Sequence, residues 1–303
     1  MNNLPFSVLN RRQAALGLAL VIGSGPGCAT TPRGRHAALD LSGLEARHGG
    51  RLGVAALEEG TGRTIGWREG ERFAYCSTFK LFLAAAVLER TQNGLDRRDR
   101  RIPVTEADIV PHGPVTHAAL GRTLTLEELC AATVRTSDNT AGNILIRELG
   151  GLSVFQQWYR SIGDTTTRVD RWEIELNTAF AGDPRDTCLP EQAVRNVETI
   201  RAGGRWTADT LATLTGWLET PVGGAGRIVA GTPDGWRVAH KTGTGPDGPA
   251  NDLGFCRPAD GGPAVLVGVY FTECPGLTAD QRDGVLADAT RAVFAALAGT
   301  AGR

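Results

Sequence analysis

The positive charge of this chain is almost entirely arginine: of 32 lysines and arginines, only Lys80 and Lys241 are lysines. The distinction is chemical. A guanidinium stays protonated in any protein site, whereas a buried ammonium can give up its proton near neutral pH. Both lysines stand beside hydroxyl residues, in Ser77-Thr78-Phe79-Lys80 and Lys241-Thr242-Gly243-Thr244. Ser77 and Lys80 are three residues apart at the start of an apolar run, so on a helix they share a face. A serine hydroxyl becomes a nucleophile when a neighbouring base takes its proton, and N–H groups at a helix start can hold the oxyanion its attack creates. Ser137-Asp138-Asn139 adds a second hydroxyl and an amide just before another predicted helix. Taken singly, these are a capping serine with a snorkelling lysine, a second helix cap and a strand-end turn. Together, and in this order, they are the parts of a serine acyl-transfer site.

The elements that must position these residues are legible from apolar spacing. Residues 39–47 read as a helix ended by Gly49-Gly50, and 52–57 and 64–67 as strands of a hairpin around Glu59-Gly60-Thr61-Gly62. Residues 76–91 are apolar on nearly all sides, which predicts a buried central helix. Helices follow at 126–134, 140–148, 154–162, 190–201 and 208–218, joined by polar connections. Strands return at 237–241, 252–256 and 264–271, and an amphipathic helix spans 279–297. Strands at both ends with helices between predict an α+β fold. One sheet is assembled from both chain ends (about 39–75 and 219–303), with an all-helical part (about 76–218) inserted and a cleft between them.

Composition excludes other classes. With 303 residues, 41% hydrophobic and 21% charged, the chain has ample length for a core. A formal net charge of −1 gives no reason to expect nucleic acid or an anionic membrane as partner. Segment 1–28 reads as an export signal, with Arg11-Arg12, an apolar run at 14–22 too short to span a bilayer, and a small-residue exit to Cys28. The paired arginines fit twin-arginine export loosely. Cys28 is a candidate lipidation site, although Gly25-Pro26-Gly27 matches the usual lead-in poorly. Residues 29–38 read as a spacer. Cys76, Cys130, Cys188, Cys256 and Cys274 show no zinc spacing, and their odd number leaves at least one thiol unpaired in a monomer.

The set S-x-x-K, S-D-N and K-T-G resembles the class A β-lactamases and penicillin-binding proteins, from about residue 40 onward. Arg171-Trp172-Glu173-Ile174-Glu175-Leu176-Asn177 is similar to the class A E-x-x-L-N element, and Asp183-Pro184-Arg185-Asp186-Thr187 closes the same loop. Arg171 and Asp186 are expected to pair across its neck. The resemblance implies Ser77 as the acylated nucleophile, with Lys80 its base or proton relay; Glu173 acting through water is the other candidate base. It implies Ser137 as proton donor to the lactam nitrogen, Asn139 as a contact for the substrate's side-chain amide, and Lys241, Thr242, Gly243 and Thr244 around its carboxylate. Backbone N–H groups of Ser77 and Thr244 would form the oxyanion hole. Glu173 and Asn177 would hold the water that hydrolyses the acyl ester. Arg227 matches a carboxylate-binding arginine of some members, and His112 a bulky ring at the cleft mouth. No metal or cofactor is implied, and a monomer is expected.

Three departures stand out. Ile174 follows Glu173 where many members have proline, often after a cis bond. His240 precedes Lys241 where aspartate is common, and could modulate its charge. Cys76 has Gly245 opposite, so the disulfide of several carbapenem-hydrolysing members is absent. Among rivals, a D,D-peptidase leaves the Glu173/Asn177 loop unexplained. A penicillin sensor would usually carry a membrane-spanning segment. An esterase triad lacks both a G-x-S-x-G motif and a partnered histidine. The reading is an exported, metal-free class A serine β-lactamase acting on small β-lactams.

Overall fold

A computed structural model describes residues 36–246 and 248–300, so the leader 1–28 and the spacer up to residue 35 lie outside the described residues. The order of elements is β1 (His36–Ala38), α1 (Ser42–His48), β2 (Arg51–Glu58), β3 (Arg63–Trp67), β4 (Phe73–Ala74), a tight turn Cys76–Thr78, α2 (Phe79–Gln92), β5 (Arg101–Pro103), α3 (Pro114–Ala118), β6 (Thr123–Thr125), α4 (Leu126–Arg135), α5 (Asn139–Leu149) and α6 (Leu152–Ser161). Then come β7 (Thr187–Cys188), α7 (Pro190–Arg201), α8 (Ala208–Leu218), β8 (Trp236–Thr244), β9 (Ala250–Pro258), β10 (Val265–Thr272) and α9 (Ala279–Thr300).

Strands from the two chain ends interleave into a six-stranded sheet of order β1-β3-β2-β10-β9-β8. Its centre joins the ends directly, with Val54 opposite Val269 across the antiparallel β2–β10 pair. Alternation gives the sheet two buried faces. Leu52, Val54 and Ala56 of β2, with Val265, Val267, Val269 and Phe271 of β10, face a core closed by α1 and α9. Ala55 and Leu57, with Leu266 and Tyr270, face the larger core around α2. The helix α2 is buried from Phe79 through Leu88, as its unbroken apolar run predicts.

Several expectations need correction. Residues 36–38 are not spacer: β1 pairs in parallel with β3, and Leu39 N continues that pairing to Gly66 O at 2.8 Å. The first helix therefore starts at Ser42 rather than 39, after Asp40 Oδ1 accepts the Ser42 N–H at 3.0 Å. The nucleophile's helix begins with a tight turn, Cys76–Thr78, before α2 proper. The helical part also contains two small ribbons, β4–β7 and β5–β6, and α7 packs on β2 and β10 rather than among helices alone. Among the described residues no helix is long and apolar enough to cross a membrane. The five described cysteines are all free and buried.

Candidate active site

Ser77 sits at the junction of sheet and helices, on the tight turn that starts α2. The turn is held from both sides. Thr78 Oγ1 donates to Tyr75 O at 2.8 Å, and Asn251 Nδ2 of β9 donates to Ala74 O at 2.8 Å and Tyr75 O at 3.2 Å. Strand β8 passes so close that a Cβ on Gly243 would lie 2.7 Å from Tyr75 O and 3.2 Å from Ser77 N. Only glycine permits this approach, which explains the third residue of Lys241-Thr242-Gly243.

Lys80, the second residue of α2, is fully buried. Its Nζ donates to Ser137 O at 2.7 Å and Asn139 Oδ1 at 2.5 Å, and lies 3.0 Å from Glu173 Oε1. Burial pushes its pKa below the usual lysine range, opposed by the neighbouring Glu173 charge. None of its hydrogen bonds among the described residues goes to Ser77; the lysine is instead the hub joining the serine's helix to Ser137, Asn139 and Glu173.

Ser137-Asp138-Asn139 divides its work. Asp138 is structural: its carboxylate caps α5 at Ala141 N (2.8 Å) and also takes the N–H groups of Val115 and Thr116, each at 3.0 Å, at the start of α3. Ser137 is left in the left-handed region (φ 57°). Its Oγ lies 3.1 Å from Lys241 Nζ and 3.5 Å from Lys80 Nζ, so one hydroxyl links both lysines. Asn139 Nδ2 donates to Pro111 O at 2.9 Å. His112 is exposed at the mouth, its ring Nε2 3.2 Å from Thr136 O.

Glu173 is nearly dry, and the peptide joining it to Ile174 is cis. Its backbone is clamped by Asn143 of α5, which accepts Glu173 N–H and donates to Glu173 O, both at 2.9 Å. Asn177 Nδ2 donates to Glu173 Oε2, and Asn177 Oδ1 is buried with no hydrogen-bond partner among the described residues. The loop neck is closed as expected, with Arg171 Nε 2.6 Å from Asp186 Oδ2. Asp186 Oδ1 also accepts from Asp170 N, Arg171 N and the Tyr75 hydroxyl, so the neck is tied to the residue that opens the Ser77 turn. Asn143 and Tyr75 escaped the sequence reading. Asn143, four residues beyond Asn139 on one helix face, could have been found by spacing.

Lys241 Nζ reaches Ser137 Oγ and Thr242 O, the latter at 2.8 Å. Burial first, and the Lys80 and Arg227 charges beside it, push its pKa down to about 7. His240 does not act on Lys241 directly: its ring faces away and Nδ1 lies 2.8 Å from Asp252 Oδ1, while the Asp252 charge holds Lys241 up. Arg227 also differs from expectation. It is buried, and four of its five N–H groups go to Asp283 Oδ1 (2.7 Å), Gly243 O (2.9 Å), Asn251 O (2.8 Å) and Thr244 Oγ1 (2.9 Å). It reaches the site through Thr244, which is exposed.

Lys80, Ser137, Asn139, Glu173, Asn177 and Lys241 thus form one connected network of two buried lysines and a buried carboxylate, with Ser77 three residues before Lys80 on the turn that leads into α2. Residues 37–297 match the model of the β-lactamase enzyme family. The chain belongs to that family. A β-lactamase of Citrobacter koseri is 42% identical over 253 residues, covering 84% of this chain and 85% of the relative. The carbapenem-hydrolyzing β-lactamase KPC of Klebsiella oxytoca is 41% identical over 249 residues, 82% of this chain and 84% of its own. Among solved structures, a class A β-lactamase reconstructed as the last common ancestor of Gram-negative bacteria superposes with a TM-score of 0.82 at 46% identity, covering 85% of this chain and 97% of that one. The α+β architecture is that of the class A β-lactamases.

Proposed function

We propose that this β-lactamase family member hydrolyses the amide bond of β-lactams through an acyl-enzyme on Ser77. The observation that carries the reading is the buried Glu173, its backbone clamped by Asn143 and its carboxylate held 3.0 Å from Lys80. A protein that only needed to be acylated would have no use for a second, rigidly held base beside the serine–lysine pair.

Acylation starts when Ser77 Oγ attacks the lactam carbonyl, its proton passing into the Lys80–Glu173 pair. Lys80 belongs to this relay, and its contacts with Ser137 carry the proton onward toward the leaving nitrogen. Backbone N–H groups of Ser77 and Thr244 take the developing oxyanion. Lys241 and the Thr242 and Thr244 hydroxyls receive the substrate carboxylate, Asn139 its side-chain amide, and His112 borders the mouth. Glu173 and Asn177 then orient and deprotonate the water that cleaves the ester. On this reading no metal or cofactor takes part. The leader 1–28 is removed at or near Cys28, the catalytic unit begins with β1 at residue 36, and the monomeric enzyme works in the periplasm or outside the cell.

The test is a stopped-flow and mass-spectrometric comparison of wild type and Glu173→Ala with benzylpenicillin and a chromogenic cephalosporin. Wild type should turn over with only transient mass gain on Ser77. The variant should accumulate the Ser77 adduct, with kcat lower by about 1,000-fold. A stable stoichiometric adduct on wild type would instead mean a penicillin-binding protein, and equal turnover by the variant would remove Glu173 from the mechanism.

A further inference from the structure

The pair His240–Asp252 is buried, titratable and unused by the mechanism above. His240 and Thr242, two apart on β8, share a face of the strand. There they meet the segment that carries Arg227: a Cβ on Gly224 would sit 2.9 Å from His240 Cε1 and 2.6 Å from Thr242 Cγ2. His240 Nδ1 lies 2.8 and 2.9 Å from the two Asp252 oxygens. Asp252 Oδ2 also accepts the Ile228 N–H at 3.1 Å, and Oδ1 the Leu253 N–H at 3.1 Å. One carboxylate therefore fixes the residue before Lys241 and the residue after Arg227.

Arg227 departs from helical geometry within the turn Ala225–Val229, with φ −105° and ψ −120°. Its N–H still donates to Gly224 O at 3.1 Å, and the Asp252 hold on Ile228 is a second anchor on the next residue. Arg227's ion-pair partner is Asp283 of α9, while the Asp252 charge acts on Lys241. From this position the guanidinium donates to Gly243 O and Thr244 Oγ1, both in the strand that lines the site.

We infer that His240 and Asp252 form a positioning pair for the carboxylate-recognising end of the site, acting through Arg227 and Thr244. The inference rests on the β-lactamase reading. His240→Leu removes the donor and leaves Asp252 with only its backbone partners. His240→Asn keeps one, since an asparagine Nδ2 stands where the imidazole Nδ1 does. Each is assayed with benzylpenicillin and with its methyl ester, alongside thermal unfolding.

His240→Leu should raise KM for benzylpenicillin about tenfold with kcat within about twofold, and leave kcat/KM for the ester unchanged. His240→Asn should return KM to the wild-type value. In an Arg227→Ala background, His240→Leu should add nothing further. Equal losses on acid and ester, no rescue by asparagine, or an undiminished effect without Arg227 would each overturn the proposal. Should the leucine variant fail to fold, Asp252→Asn reads the same acid-against-ester contrast. A wild-type protein that neither acquires mass on Ser77 nor hydrolyses the acid overturns the functional reading itself; wild-type turnover without the selective loss overturns the pair alone.

Discussion

Lys80 and Lys241 are equally dry, yet their neighbours treat them differently. Lys80 has the Glu173 carboxylate at 3.0 Å, whereas Lys241 has a hydroxyl, a carbonyl and two nearby positive charges, and its pKa falls to about 7. Below that pH the ammonium dominates and can receive a carboxylate; above it the free enzyme loses the charge. A pH profile of kcat/KM should therefore decline on the alkaline side, starting near neutrality. Lys241→Arg should flatten that limb while lowering kcat/KM by about tenfold or more, because a guanidinium keeps its proton but not an ammonium's shape. An unchanged profile would assign the limb to another group. For folding the sign is opposite: the unfolded chain holds this proton up to the ordinary lysine range, so the lysine's contribution to stability grows as pH rises from about 7. At this scale the sequence was most informative where chemistry demands a particular side chain. It was silent on Asp252, Asn251, Asn143 and Tyr75, whose partners lie far along the chain.

At the scale of elements, the loop carrying Glu173 is held at two places. Arg171→Met would leave the Asp186 carboxylate buried with only N–H and O–H donors. That should cost about 3 kcal/mol, seen as a lower Tm, and slow deacylation more than acylation. Rates that fall equally would show that the neck supports the whole site instead. Gly243→Ala tests the other approach. Its Cβ would meet Tyr75 O at 2.7 Å, so β8 must retreat from the Ser77 turn, and acylation should slow by about 100-fold, measurable in a single turnover. Apolar periodicity announced the long helices and the hairpin because burial writes itself into spacing. The short β1, α3 and the ribbons β4–β7 and β5–β6 left no such mark: two to five residues carry too little pattern, and tertiary pairing decides their conformation.

Across the whole molecule, two cores share one sheet; Cys130 and Cys188 fill one, Cys256 and Cys274 the other, and Cys76 is buried in the turn that carries Ser77. Burial raises each thiol, Cys188 and Cys256 to about 12, so none offers a ready thiolate. In native protein they should react with Ellman's reagent only as fast as tryptophan fluorescence reports unfolding; a faster fraction would reveal local opening around one of them. The inserted arrangement was readable because strands cluster at both ends of the sequence, whereas the parallel edge strand β1 was not, since a spacer and a three-residue strand look alike. The meeting of those ends at β2 and β10 has a consequence in time. The nucleophile's turn and α2 are synthesised early, but the strand bearing Lys241 enters the sheet only through β9 and β10, and Val54 must wait for Val269. Contacts of such long separation close slowly. A partly made chain therefore has a serine but no site until its final strands arrive.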